Sequence, residues 1–210
     1  IYLIDFSLAV LGYTLFVLFD ILNKKLIGSY HVSQIIFVNS ISALLPIFLF
    51  TQARNGWVKL KKVNLKIHFL RAGIMFITML AFITSLAHLP LVLMYSIAFT
   101  APLMLTIGAN LFLDEKVGWR RYTAISIGFI GVIISLDPFN EPINKYILLT
   151  FLCPFLMSIS WLMVRKYGHT ENVYSFLIYG KVFLLIFSGI FLFTKFIPMN
   201  LNDFILNFTS

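Results

Sequence analysis

Charge is what this 210-residue chain has least of: Asp, Glu, Lys and Arg together make up 11% of it, and only eight residues are acidic. Against 60% hydrophobic residues, that excludes an ordinary soluble domain, in which about a quarter of the residues are charged and face water. There is one cysteine, Cys153, so neither an intrachain disulfide nor a thiolate metal cluster can form. No HExxH pair, P-loop or GxSxG elbow occurs, which leaves metalloprotease, nucleotide-driven and serine-hydrolase chemistry without a motif. The four histidines, His31, His68, His88 and His169, fall at the edges of apolar segments or between them. They read as membrane-interface residues, and no metal or cofactor is implied.

What the chain has in quantity is apolar length. Seven segments, at about 3–22, 32–51, 69–87, 90–113, 119–136, 146–164 and 174–194, come near the roughly 20 residues that cross a hydrocarbon layer about 30 Å thick. The expected fold is all-α, a polytopic transmembrane helix bundle. The first segment lacks a basic n-region and a small-residue cleavage site, and Asn23, Lys24 and Lys25 follow it directly, so it reads as a span and not as a signal peptide.

The net charge of +8 is unevenly placed. Eleven of the sixteen basic residues lie in alternate gaps: Arg54, Lys59, Lys61, Lys62, Lys66 and Arg71; then Lys116, Arg120 and Arg121; then Arg165 and Lys166. By the positive-inside bias these gaps are cytoplasmic, as is the N-terminus, in a cell (inner) membrane. Because the basic residues follow the threading, the partner they imply is the lipid bilayer and not nucleic acid.

An offset of about 141 residues lays the first hairpin over the sixth and seventh segments, as in inverted-repeat transporters. Asp20 to Lys25 (DILNKK) then faces Trp161 to Lys166 (WLMVRK), and the apolar stretches that follow end in IFLF at 47–50 and GIFLF at 189–193. Five segments separate the copies, and five is odd, so the second copy enters from the opposite side. An inverted 5+5 repeat follows, with only about seven helices in this chain: a first five-helix repeat at 1–138 and an incomplete second at 139–210. The period carries the second repeat to roughly residue 280, so three further spans are expected beyond Ser210.

The run from Leu89 to Pro138 closely resembles the end of the first repeat in EamA-type permeases of the drug/metabolite transporter superfamily. The residues that carry the likeness are Thr100-Ala101-Pro102, the turn Asp114-Glu115-Lys116-Val117-Gly118-Trp119-Arg120-Arg121, and Gly128 with Gly131 before Asp137-Pro138. A weaker likeness extends from Tyr13 to Gly189. Relatives often carry Arg in the second helix where this chain has Phe37-Val38-Asn39, so a neutral amide replaces a cation there. The resemblance implies a permease for a small-molecule metabolite, with the fifth helix at the back of the bundle or against a second subunit in a homodimer. Within the superfamily the chain looks most like the S-adenosylmethionine uptake branch, which implies S-adenosylmethionine or an amino-acid-like solute.

Several residues are candidates for transport. Pro102 lies about twelve residues into the fourth segment, or roughly 18 Å, near the midplane. It removes a backbone donor there, and Tyr95, Ser96 and Thr100 gather polar groups around the break. A packing kink is the plain alternative. Pro46 and Pro154 are expected to break the second and sixth segments in the same way. Lys181 lies inside the seventh segment, where it either snorkels or faces a cavity. Tyr179 joins it as a substrate-binding candidate. Asp20 is either a coupling site or half of an i, i+4 ion pair with Lys24. Asn39 on the second helix and Trp161 on the sixth complete the substrate-binding set, Trp161 as a ring that could stack on a planar or cationic ligand. The small residues Ala124, Gly128 and Gly131 read as a close-packing stripe. Together these point to alternating access without ATP and without enzymatic chemistry. A multi-pass membrane enzyme and a non-transporting scaffold subunit are the alternatives.

Overall fold

The computed structural model describes residues 2–54, 57, 60, 63–115, 118–136, 144–192, 197 and 198. They form α1 (Tyr2–Ile27), α2 (Val32–Ala53), α3 (Leu65–Leu86), α4 (Leu91–Ala98), α5 (Ala101–Leu113), α6 (Trp119–Leu136), α7 (Lys145–Tyr167) and α8 (Val173–Leu192). All seven apolar segments are helical, and six are long and apolar enough to cross a membrane, the fourth of them formed by α4 and α5 together as Leu91–Leu113. The 18-residue α6 is not among the six; its first turn is Trp119-Arg120-Arg121-Tyr122. The chain is a multi-pass membrane protein.

Helix starts are marked by side-chain acceptors, which meet the orphan N–H groups of the first turn. Asn144 Oδ1 accepts from the N–H groups of Tyr146 and Ile147 at 2.9 and 3.0 Å. Asn64 Oδ1 accepts from Lys66 N at 3.2 Å, and His31 Nδ1 from Ser33 N at 3.4 Å.

The prolines behave unequally. The fourth segment divides at Phe99 and Thr100, and Pro102 occupies the first turn of α5, where its missing N–H costs nothing. Pro46 and Pro154 were expected to act alike, but α2 and α7 run through them without interruption. Pro154 is fully buried; neighbours on both sides hold its helix in register although one ladder bond is lost.

Packing runs in a row. α2 lies on α8, α3 lies between α8 and α7, and α7 also meets α4 and α5, while α1 and α6 sit at the periphery. Between α3 and α8 the contact is a ladder of rings, with Phe69 5.5 Å from Phe183 and 5.1 Å from Phe187, and Phe76 5.9 Å from Phe187. Lipid tails are as apolar as leucine, so such interdigitation, and not expulsion from water, holds membrane helices together. Small residues make room for it: a Cβ on Gly189 would lie 3.3 Å from the Phe37 ring. The expected stripe on α6 does no such work among the described residues, because a Cβ on Gly128 or Gly131 would meet nothing within 4 Å.

The two ends of the bundle are chemically distinct. At one end Glu171 binds His68 and Glu115 binds Arg165, each at 3.1 Å. These pairs bring all three of the basic gaps together, as alternate gaps of a threaded chain require. At the other end Lys24 Nζ donates to the Leu89 carbonyl at 2.8 Å, His88 stacks on Tyr146 at 3.7 Å, and Gln34 exchanges two hydrogen bonds with the backbone of Ile197.

Candidate solute-binding site

α1 turns one polar face inward near the less basic end, and the groups on it are deeply buried. Asp20 and Asn23 are each 2% exposed, and Asn39 of α2 is 6% exposed. Tyr95 Oη of α4 donates to Asp20 Oδ2 at 2.6 Å, and Asn39 Nδ2 donates to Asn23 Oδ1 at 3.0 Å. Asn39 Oδ1 is buried without a partner among the described residues. The expected Asp20–Lys24 ion pair does not form. Lys24 is on the exposed last turn and reaches the Leu89 carbonyl instead, while Asp20 points into the bundle at Tyr95. Asp20 makes no ion pair among the described residues. The result is a buried carboxylate with a neutral donor, beside an amide oxygen with none, and such a place favours an incoming N–H or a cation.

The helix break adjoins this cluster in sequence but faces elsewhere. Thr100 is 2% exposed, and its hydroxyl donates to Ile97 O at 2.7 Å, within the break itself. Ser96, half-buried, donates to Val92 O at 2.9 Å. Ser158 of α7 lies 3.1 Å from the Ala101 carbonyl and 2.7 Å from that of Pro154. A side chain of α7 thus reaches the loosened backbone, as apolar surroundings demand. Thr100 and Pro102 also line a hollow of about 330 Å³ against α6, together with Thr106, Arg121 and Gly128; Asp20, Asn39 and Tyr95 are not part of it.

A second polar cluster lies at the basic end. Glu171 Oε2 faces His68 Nε2 at 3.1 Å, Glu171 Oε1 accepts from Asn64 N at 2.9 Å, and Ser175 Oγ lies 3.4 Å from Oε2. His68 is therefore no interface residue: it is 1% exposed, with the rings of Phe176 and Tyr179 at 4.8 and 5.6 Å. Arg71 lies over the same Phe176 ring, 5.5 Å from its centroid. Lys181 is half-buried in α8. Trp161 joins neither cluster and is 38% exposed.

The structure therefore gathers Asp20, Tyr95 and Asn39 at one place and puts Tyr179 at another, while Thr100 and Pro102 lie at the break. Sequence reasoning missed Asn23, His68, Glu171 and the buried Nε of Arg71. Asn23 had a signal, since it follows Asp20 by one helical turn. Glu171 had another, as a rare acid in a basic gap.

Comparison with known proteins agrees with this architecture. The S-adenosylmethionine uptake transporter of Rickettsia felis is 28% identical over 172 residues, which cover 80% of this chain and 57% of that protein. The riboflavin transporter of Vibrio cholerae is 33% identical over 113 residues, 53% of this chain and 38% of that protein. The aligned part of the chain thus spans little more than half the length of the Rickettsia relative. No solved structure matches the chain. Residues 4–136, well over half of the sequence, match the EamA-like transporter family, and to that family the chain belongs.

Proposed function

We propose that this protein is a permease of the inner membrane with a cytoplasmic N-terminus, moving a small organic metabolite by alternating access. The observation that carries the substrate class is the Asp20 carboxylate, 2% exposed, held among the described residues by Tyr95 at 2.6 Å and next in the cluster to the Asn39 oxygen, which has no partner among them. A buried carboxylate without a cation is costly, and a charge kept inside a membrane helix is a functional group by default. The solute that relieves it carries a cationic centre, an amine or sulfonium. S-adenosylmethionine and amino-acid-like solutes fit, and the Rickettsia relative's name supports the former. Residues 1–138 form the first five-helix repeat and those from 139 enter the second; Asp20, Asn23, Asn39 and Tyr95 all belong to the first.

The test is uptake into proteoliposomes holding the full-length protein. Saturable entry of labelled S-adenosylmethionine, competed by amines and not by riboflavin, is the expected result. Absence of saturable flux for any cationic solute would return the chain to the enzyme or scaffold readings, and competition by riboflavin alone would remove Asp20 from recognition.

A further inference from the structure

The α3–α8 interface holds positive charge that no carboxylate among the described residues answers. Arg71 lies six residues after the start of α3 at Leu65, and Lys181 eight after the start of α8 at Val173. At the helical rise these lie about 9 and 12 Å along their helices from the basic end. The ion pairs among the described residues are His68–Glu171 and Arg165–Glu115, so neither cation has a carboxylate. Arg71 Nε is buried with no hydrogen-bond partner among them. Its guanidinium is nonetheless fixed in place. The Phe176 ring lies beneath it, and Gly180, the residue before Lys181, leaves it room, since a Cβ there would stand 3.3 Å from Nη1.

Glu171 is the acid closest to hand, bound to His68 one turn before Arg71, but its oxygens are taken by His68, the Asn64 N–H and Ser175. A half-buried guanidinium with no acid among the described residues, its Nε sealed off and its plane set over a ring, is chemistry matched to a carboxylate, which it can bind at two points. Among the described residues no acid supplies the anion. We propose that Arg71, supported by Lys181, binds the carboxylate of the transported solute, so that the solute is amphoteric, its cation at Asp20 and its carboxylate at the α3–α8 interface. This rests on the reading of Asp20 given above. The two stations lie at different depths, on the order of 12 Å apart along the helix axes, farther than the three-carbon link between the sulfonium and the carboxylate of S-adenosylmethionine can reach, so that solute occupies them in turn and not at once.

The test compares S-adenosylmethionine with its decarboxylated form, which keeps the sulfonium and loses only the anion, in binding to the full-length protein. The carboxylate should tighten binding about 10-fold or more, as charged hydrogen bonds do. Arg71→Gln should bring the ratio close to one, and Arg71→Lys should restore part of it by returning the charge without the fork. Equal affinity of the wild-type protein for the two solutes overturns the proposal, whatever the variants do. If neither solute binds, thermal unfolding with millimolar malonate against chloride decides the matter separately. Stabilisation that Arg71→Gln abolishes keeps the anion site while the amine-permease reading falls, and no stabilisation overturns the site as well.

Discussion

Asp20 and Glu171 are both buried carboxylates, 2% and 8% exposed, yet the chain treats them oppositely. Glu171 has its needs met from within: an imidazole and a hydroxyl face one oxygen, and a backbone N–H serves the other. Asp20 receives one phenolic hydrogen bond and no cation among the described residues. A buried acid costs free energy in proportion to what it lacks. The first is therefore a fastening, which ties the α7–α8 turn to the start of α3, and the second is under-committed. It is the under-committed group that a ligand can complete, although both are acids in a chain with only eight.

The largest effect belongs to the fastening. Glu171→Ala removes every bond at once and strands the His68 imidazole and the Asn64 N–H, so unfolding in detergent should show a loss of about 3–5 kcal/mol, each stranded polar group costing about 1–3 kcal/mol. A loss below about 1 kcal/mol would mean that the pair is no better than a surface contact. Asp20→Asn should behave the other way. The amide still accepts from Tyr95, so stability should hold, whereas affinity for a cationic solute should fall by about 2 kcal/mol or roughly 30-fold. A variant that unfolds early and binds normally would break the comparison, because Asp20 would then be a second fastening.

The contrast between the two acids could not be read in advance, and the reason is physical. Helix positions were legible because apolar length is dictated by the bilayer, and α2, α6 and α8 start within a residue of expectation. The break at Thr100-Ala101-Pro102 was legible because proline lacks a donor. Which face of a membrane helix turns inward is another matter. In water the outer face is polar and betrays itself; in lipid both faces are apolar. Asp20 and Lys24 thus satisfied the i, i+4 rule for an exposed helix, while the fold sends the first to Tyr95 and the second to the Leu89 carbonyl. Pro154 misled for a related reason, since burial between α3 and α5 preserves a helix that the isolated segment would bend. His68 and Glu171 are 103 positions apart, and nothing local in either segment announces the other.

A neutral counterpart shows how much of the contrast is charge. Ser158 is 3% exposed and lies between two carbonyls, at 2.7 Å from Pro154 and 3.1 Å from Ala101. A hydroxyl has one hydrogen to give, so either it closes a local bond within α7 or it braces the first turn of α5 after the break. Ser158→Ala should cost only about 0.5–1.5 kcal/mol of stability, the worth of an uncharged hydrogen bond. The magnitude alone does not choose between the carbonyls, and a double-mutant cycle does. If Ser158 serves the break, combining Ser158→Ala with Pro102→Ala should depart from additivity by more than about 0.5 kcal/mol, because the two then act on one stretch of backbone. Strict additivity would assign the hydroxyl to Pro154. The break would then depend on Thr100 alone, whose hydroxyl already bonds Ile97, and α4 and α5 would be free to move against α7 without disturbing its proline.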